Sequence, residues 1–196
     1  KGESTIAELL GDLTGRDRNP LVGTTVSDGI VSIRIRSESD DLNEAEAALE
    51  TAVTHVQDAV GPVLFGRDEQ TLAVVVNELL QSRNLVIATA ESCTGGLIGK
   101  SLTDPSGSSR SFAGGWVTYS DQMKVAHLGV SLREIGARGA VSEVVAREMA
   151  AGAMLRSLAQ LGVSTTGIAG PTGGTDEKPV GLVWVGLAGR VTGSNH

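Results

Sequence analysis

Hydrophobic positions recur along the chain at helical and at strand spacing in turn. Ile6, Leu9, Leu10 and Leu13 follow Ser4-Thr5, a pattern that predicts a capped helix. After a loop at residues 15–20, residues 21–26 read as a short strand, and Ser27-Asp28-Gly29 is a hairpin signal. Residues 30–36 then alternate. Val31, Ile33 and Ile35 point one way and Ser32, Arg34 and Arg36 the other, as in a half-buried strand. Residues 41–60 predict an acidic amphipathic helix with Ala45, Ala48, Leu49, Ala52, Val53 and Val56 inward. These four elements make a small α+β unit over residues 1–66.

Beyond Phe65-Gly66 the rhythm changes. A helix is predicted over residues 69–81, and residues 85–90 form an unbroken apolar run, as expected of a strand buried on both faces. Glu91-Ser92-Cys93-Thr94-Gly95-Gly96 turns that strand into a helix starting at Leu97. Further strands are predicted at residues 112–120, 163–169 and 180–187. A short helix is predicted at residues 121–128, and a long Ala-rich one at residues 143–160 behind Ser142 as N-cap. Strand, turn and helix alternate over residues 67–196, which predicts a three-layer α/β/α sandwich. Ligands of such sheets sit at the strand ends, so the turns Thr94–Gly96 and Gly170–Gly174 are expected to face one cleft.

Charge supports the same division. Residues 1–66 hold five basic and twelve acidic side chains, a net of −7, whereas residues 67–196 hold eleven of each. Neither half has a basic stripe, and nucleic-acid binding as the main function is excluded on that ground. No apolar stretch reaches the length of a membrane span, so no membrane partner is expected. The single cysteine, Cys93, cannot form an internal disulfide or a multi-cysteine zinc site. It fits a reducing compartment and a cytoplasmic protein.

Four readings compete for the turn after residue 90. Residues 94–101 approach the pattern of a phosphate-binding P-loop ending in Lys100-Ser101, but Thr94 replaces the first glycine and no Mg²⁺-holding Asp follows a later strand. Cys93 could be a nucleophile with His127 as its base, although no carboxylate stands by to orient His127. Ser92 could be a nucleophile with Lys124 as base, the N–H groups of Thr94, Gly95 and Gly96 serving as an oxyanion hole. The fourth reading is a plain turn and cap. His55, isolated on its helix, is read as structural or surface.

The motifs Ala90-Glu91-Ser92-Cys93-Thr94-Gly95-Gly96, Trp116-Val117-Thr118-Tyr119-Ser120 with Lys124, Gly139-Ala140-Val141-Ser142, Gly167-Ile168-Ala169-Gly170-Pro171-Thr172-Gly173-Gly174 and Glu177-Lys178-Pro179-Val180-Gly181 together resemble the CinA (competence/damage-inducible protein A) family. The front unit is similar to the KH-like linker domain of full-length members. The resemblance implies an amidohydrolase that converts nicotinamide mononucleotide to nicotinate mononucleotide and ammonia. It implies Ser92 as nucleophile, Lys124 as general base and Tyr119 as companion in proton transfer or positioning. Thr94, Gly95, Gly96, Ser142, Gly170, Gly173 and Gly174 would line the pocket of this small pyridine nucleotide. No metal and no other cofactor is implied, and a homodimer is expected, with the Ala-rich helix serving either as interface or as core. Two departures stand out. The molybdopterin-binding-like domain of full-length members, linked to ADP-ribose pyrophosphatase activity, is absent. The family also normally continues past Gly193-Ser194-Asn195-His196 with another strand and helix, so the chain reads as a fragment. The alternative function is a catalytically silent ligand-binding or oligomerisation module.

Overall fold

The alternation of residues 30–36 becomes a hairpin. In the computed structural model, which describes residues 2–27 and 29–190, β1 (Leu21–Ser27) pairs antiparallel with β2 (Ile30–Arg36), Val22 opposite Ile35 and Val26 opposite Val31. Asp28 of the predicted turn and the Gly193–His196 run lie outside the described residues. Helices α1 (Glu3–Leu10) and α2 (Leu42–Val60) supply Ile6, Leu10, Val56 and Val60 to a core with Val22, against which Val31, Ile33 and Ile35 pack. The Asp41 carboxylate starts α2 by accepting from the Asn43 N–H at 2.8 Å. Compact unit 1 ends at Arg67 and unit 2 begins at Asp68.

In the second unit a four-stranded sheet has the order β4 (Phe112–Val117), β3 (Ile87–Glu91), β5 (Leu161–Gly167), β6 (Val183–Gly189). The first three strands are mutually parallel and β6 runs antiparallel to β5. The mixed sheet carries helices on both faces. On one face lie α3 (Leu72–Ser82) and α4 (Leu97–Thr103), whose Leu80 and Leu102 pack with Ile87, Phe112, Leu161 and Val163. On the other lies α7 (Glu143–Ser157), whose Val145, Met149 and Ala153 pack on Ala88 and Ala90 with Leu128 and Val130. The period of two along β3 therefore assigns its faces: Ile87 and Thr89 look towards α3 and α4, and Ala88 and Ala90 towards α7.

Small residues bring α7 unusually close to the sheet. A Cβ at Gly186 would stand 2.3 Å from the Ala146 carbonyl oxygen. The Ala-rich helix is thus core of its own chain, with Ala146, Ala150 and Ala153 fully covered. It ends at Ser157, three residues earlier than its pattern predicts, because Leu158 turns to a left-handed conformation (φ 61°). Strands β5 and β6 are displaced from their predicted ranges by about two residues, as is usual for element ends. A helix that the pattern did not predict, α6 (Leu132–Arg138), is capped by Ser131, whose Oγ accepts from the Glu134 N–H at 3.3 Å. Between β4 and α6 lies α5 (Asp121–Met123), which continues into a wide π turn, Lys124–Leu128.

Candidate active site

Ser92 is the first residue past β3, and its alternation places it on the opposite face from Glu91. Its N–H donates to the Thr165 carbonyl of β5 at 3.0 Å, which fixes the turn to the neighbouring strand. Lys124 arrives from the other side of β3, on the segment after β4. The Ser120 hydroxyl starts that segment by accepting from the Met123 N–H at 3.3 Å, and Lys124, the first residue of the π turn, is only 1% exposed. Its Nζ lies 3.2 Å from Ser92 Oγ, 3.0 Å from the Thr118 carbonyl oxygen and 3.1 Å from that of Tyr119. The Asp121 carboxylate stands 3.9 Å away. Burial lowers the Lys124 pKa from the usual lysine range, with Asp121 and Cys93 pulling the other way.

The other sequence-predicted residues divide. Tyr119 contributes its carbonyl to Lys124, while its side chain is 73% exposed. The N–H trio expected to form the oxyanion hole is only partly free. Gly95 donates to the Ser92 carbonyl at 3.1 Å and Gly96 to a Glu91 carboxylate oxygen at 3.1 Å. The reason is local: the turn closes on itself and the buried acid behind it needs donors. Cys93 and Thr94 are left as the residues of the turn whose N–H groups have no acceptor among the described residues. The Thr94 hydroxyl is also engaged, with Glu91 and Thr165.

Three loops meet at the same end of the sheet. Ser142 sits at the N-cap position of α7, but its hydroxyl donates to the Gly139 carbonyl and caps no helix N–H. Thr166 of β5 donates to the Ala140 carbonyl at 2.9 Å, and Lys178 Nζ donates to the Arg138 carbonyl at 2.6 Å. Gly170 has φ +83°, and a Cβ there would meet Val180 at 2.5 Å, so this glycine is required by the loop's own folding. Gly173 and Gly174 belong to the same exposed loop.

Two rival readings find no support. Lys100, the would-be P-loop lysine, is exposed and pairs with Asp104 at 2.7 Å. His127, the would-be base for Cys93, is exposed on the π turn, and the side chains of His127 and Cys93 make no hydrogen bond among the described residues. His55 is exposed on α2. Among the described residues no group of three or more His, Cys, Asp or Glu stands close enough to hold a metal ion, and no helix among them is long and apolar enough to cross a membrane.

Sequence reasoning passed over Glu91. Its carboxylate, 1% exposed, accepts from the Thr94 hydroxyl at 2.7 Å and from the N–H groups of Gly96, Ile98 and Gly99 at 3.1, 3.0 and 2.8 Å. A signal was available: a carboxylate closing a run buried on both faces must find several donors to stay there.

Both units of the chain match known family models. Residues 69–195 match the family model of the CinA C-terminal domain, and residues 1–66 that of the damage-inducible protein CinA KH domain. The chain belongs to the CinA family. It is 46% identical over 188 residues to a putative competence-damage inducible protein of Halothermothrix orenii, covering 96% of this chain and 45% of that relative. A CinA-like protein of Microcystis aeruginosa is 43% identical, covering all of this chain and 47% of the relative. The chain thus spans less than half the length of these relatives. Among solved structures, competence/damage inducible protein CihA from Agrobacterium tumefaciens is 46% identical with a TM-score of 0.61, covering 65% of this chain and 77% of that one. A competence damage-inducible protein A from Klebsiella pneumoniae is 34% identical with a TM-score of 0.59, covering 61% and 74%.

Proposed function

We propose that the second unit hydrolyses the carboxamide of nicotinamide mononucleotide, releasing ammonia and nicotinate mononucleotide. One observation carries the reading: a lysine removed from water lies within hydrogen-bond reach of a serine just past the end of β3. A neutral lysine amine has two hydrogens and one lone pair. The carbonyls of Thr118 and Tyr119 take the two hydrogens, so the lone pair is turned towards the Ser92 hydroxyl. Burial favours the neutral amine by penalising the ammonium.

In this mechanism Ser92 Oγ attacks the carboxamide carbon as its proton passes to Lys124 Nζ. The oxygen of the tetrahedral intermediate falls to the free N–H groups of Cys93 and Thr94. Lys124 then returns its proton to the departing nitrogen, and ammonia leaves an ester on Ser92. Water attacks that ester, giving one proton to Lys124, and the acid product departs as Ser92 recovers its hydrogen. The loops at Ser142 and at Gly170, Gly173 and Gly174 would receive the ribose phosphate. The experiment is ammonia release from nicotinamide mononucleotide by the chain beside Ser92→Ala and Lys124→Ala. Release lost in both variants supports the reading. Release that survives Ser92→Ala ends it.

A further inference from the structure

We propose that Glu91 is a positioning residue for Ser92, acting through the turn that follows Ser92 and through a hydroxyl chain that ends on β5; this role rests on the reading of Ser92 as nucleophile.

Glu91 and Ser92 are consecutive, so the pleat sends their side chains to opposite faces: Glu91 towards α4, where its Oε1 lies 3.4 Å from where a Gly99 Cβ would stand, and Ser92 towards Lys124. Whatever fixes the torsions of residue 91 and the turn after it therefore fixes the direction of Ser92 Oγ. The Glu91 carboxylate does this with four donors. One oxygen accepts from the Thr94 hydroxyl and the Gly96 and Ile98 N–H groups, and the other from the Gly99 N–H. These donors belong to the turn on either side of Gly95 and to the first residues of α4. The acid thus closes a loop back onto the segment that carries Ser92, Cys93 and Thr94.

Proton counting extends the chain. A carboxylate only accepts, so the single Thr94 hydroxyl hydrogen goes to Glu91. The 2.7 Å contact between the Thr94 and Thr165 hydroxyls must then be donated by Thr165. Thr165 is also the residue whose carbonyl accepts the Ser92 N–H. Glu91, Thr94, Thr165 and Ser92 are therefore linked by three hydrogen bonds across two parallel strands, a circuit closed by the peptide bond from Glu91 to Ser92, with β3 and β5 in register at Glu91 and Thr165. Glu91 contacts neither Ser92 Oγ nor Lys124 in this circuit. Its oxygens are occupied by other donors, so it is not placed to exchange protons with a substrate. Its work is to hold the nucleophile and the N–H groups of Cys93 and Thr94 in one geometry, where a misplacement of about 1 Å costs about 100-fold in rate.

Glu91→Gln tests this because it keeps the shape but offers only one acceptor oxygen, leaving an N–H₂ facing at least one backbone donor. The probe is a small fluorophosphonate that modifies reactive serines, followed by mass spectrometry at Ser92, beside turnover of nicotinamide mononucleotide. The expected result is a labelling rate constant at Ser92 lowered about 10- to 100-fold. Turnover should fall by a similar factor, with KM within about twofold and the pH midpoint set by Lys124 unmoved. A merely structural role would reduce the folded fraction, hence the amplitude of labelling, and leave the rate constant of the folded protein unchanged. That result would overturn the proposal. Should Glu91→Gln fail to fold, Thr165→Val removes only the outer hydroxyl while keeping the carbonyl that holds Ser92. It should slow labelling about 3- to 10-fold, and parental labelling there would overturn the proposal instead. A parent labelled at Ser92 that releases no ammonia would refute the substrate reading alone. A parent that is never labelled at Ser92 would refute both.

Discussion

Lys124 Nζ stands 3.2 Å from Ser92 Oγ across 32 positions of sequence, brought there by the parallel pairing of β3 with β4. Ser92 follows β3 directly, and Lys124 Nζ reaches back to the carbonyl of Thr118, the first residue past β4. The pairing register, Glu91 opposite Val117, sets the spacing of the two segments, and the N–H of Thr118 donates to the Glu91 carbonyl at 2.8 Å to extend it.

If that pair is the catalytic dyad, removing either member should be about equally damaging. Ser92→Ala and Lys124→Ala are each expected to lower kcat by about 10³-fold or more, and the double variant should lose little beyond either single one, because the two groups act as a unit. Cys93→Ala should keep turnover within about tenfold, since its backbone N–H survives and the thiol makes no hydrogen bond among the described residues. A steady-state comparison of the four variants with the parent checks this, and loss of turnover in Cys93→Ala would return the thiol to consideration.

The pH dependence follows from the burial of Lys124. Its folded pKa is lowered from the ordinary lysine value of about 10.4, so the neutral, base-competent amine persists to lower pH than it would in water. Activity should rise with pH along an acidic limb set by this group and lying below that ordinary value. Asp121, at 3.9 Å, favours the ammonium. Asp121→Asn removes that attraction and should move the limb to lower pH. A limb that moves upward, or stays, in profiles of kcat/KM would contradict the assignment of the limb to Lys124.

Packing of α7 on the sheet gives a stability test independent of chemistry. Gly186→Ala would place its Cβ 2.3 Å from the Ala146 carbonyl oxygen, a backbone atom that can yield only by shifting the helix. A loss of about 1–3 kcal/mol is expected. Gly136→Ala is the control. Gly136 lies inside α6 with nothing within 4 Å of where a Cβ would stand, so alanine should add about 0.5–1 kcal/mol of stability. Urea unfolding of both variants decides the matter, and equal stabilities would refute the tight contact.

The sequence patterns reached the layer order and the helix faces because period is a local property. Val31, Ile33 and Ile35 could be assigned to one face from spacing alone, and they pack together. The turn at Ser92 was legible for the same reason, as an apolar run ending in small residues. Which partner would meet Ser92 was not legible from spacing, since it depends on the crossover that pairs β3 with β4 and brings in Lys124, 32 positions on. Glu91 was overlooked because three of its four donors are backbone N–H groups, which carry no sequence signature. The same blindness credited Gly95 and Gly96 with free donors that the turn and Glu91 already use. Helix α6 escaped because seven residues give too few turns for a period to register.

The division of the chain makes the last prediction. Each unit has a core built from its own residues: Ile6, Leu10, Val22, Val56 and Val60 in the first, and Ala88, Ala90, Val145, Met149 and Ala153 with their neighbours in the second. Every group assigned to the amide chemistry lies after Asp68, where the second unit begins. A protein of residues 68–196 is therefore expected to fold and to retain kcat and KM for nicotinamide mononucleotide within about threefold of the full chain, as an independent domain should. Circular dichroism and ammonia release from the shortened protein check the two halves of that statement separately. A folded but inactive fragment would mean that the acidic first unit contributes to the site, whereas an unfolded one would mean that the second core depends on the first.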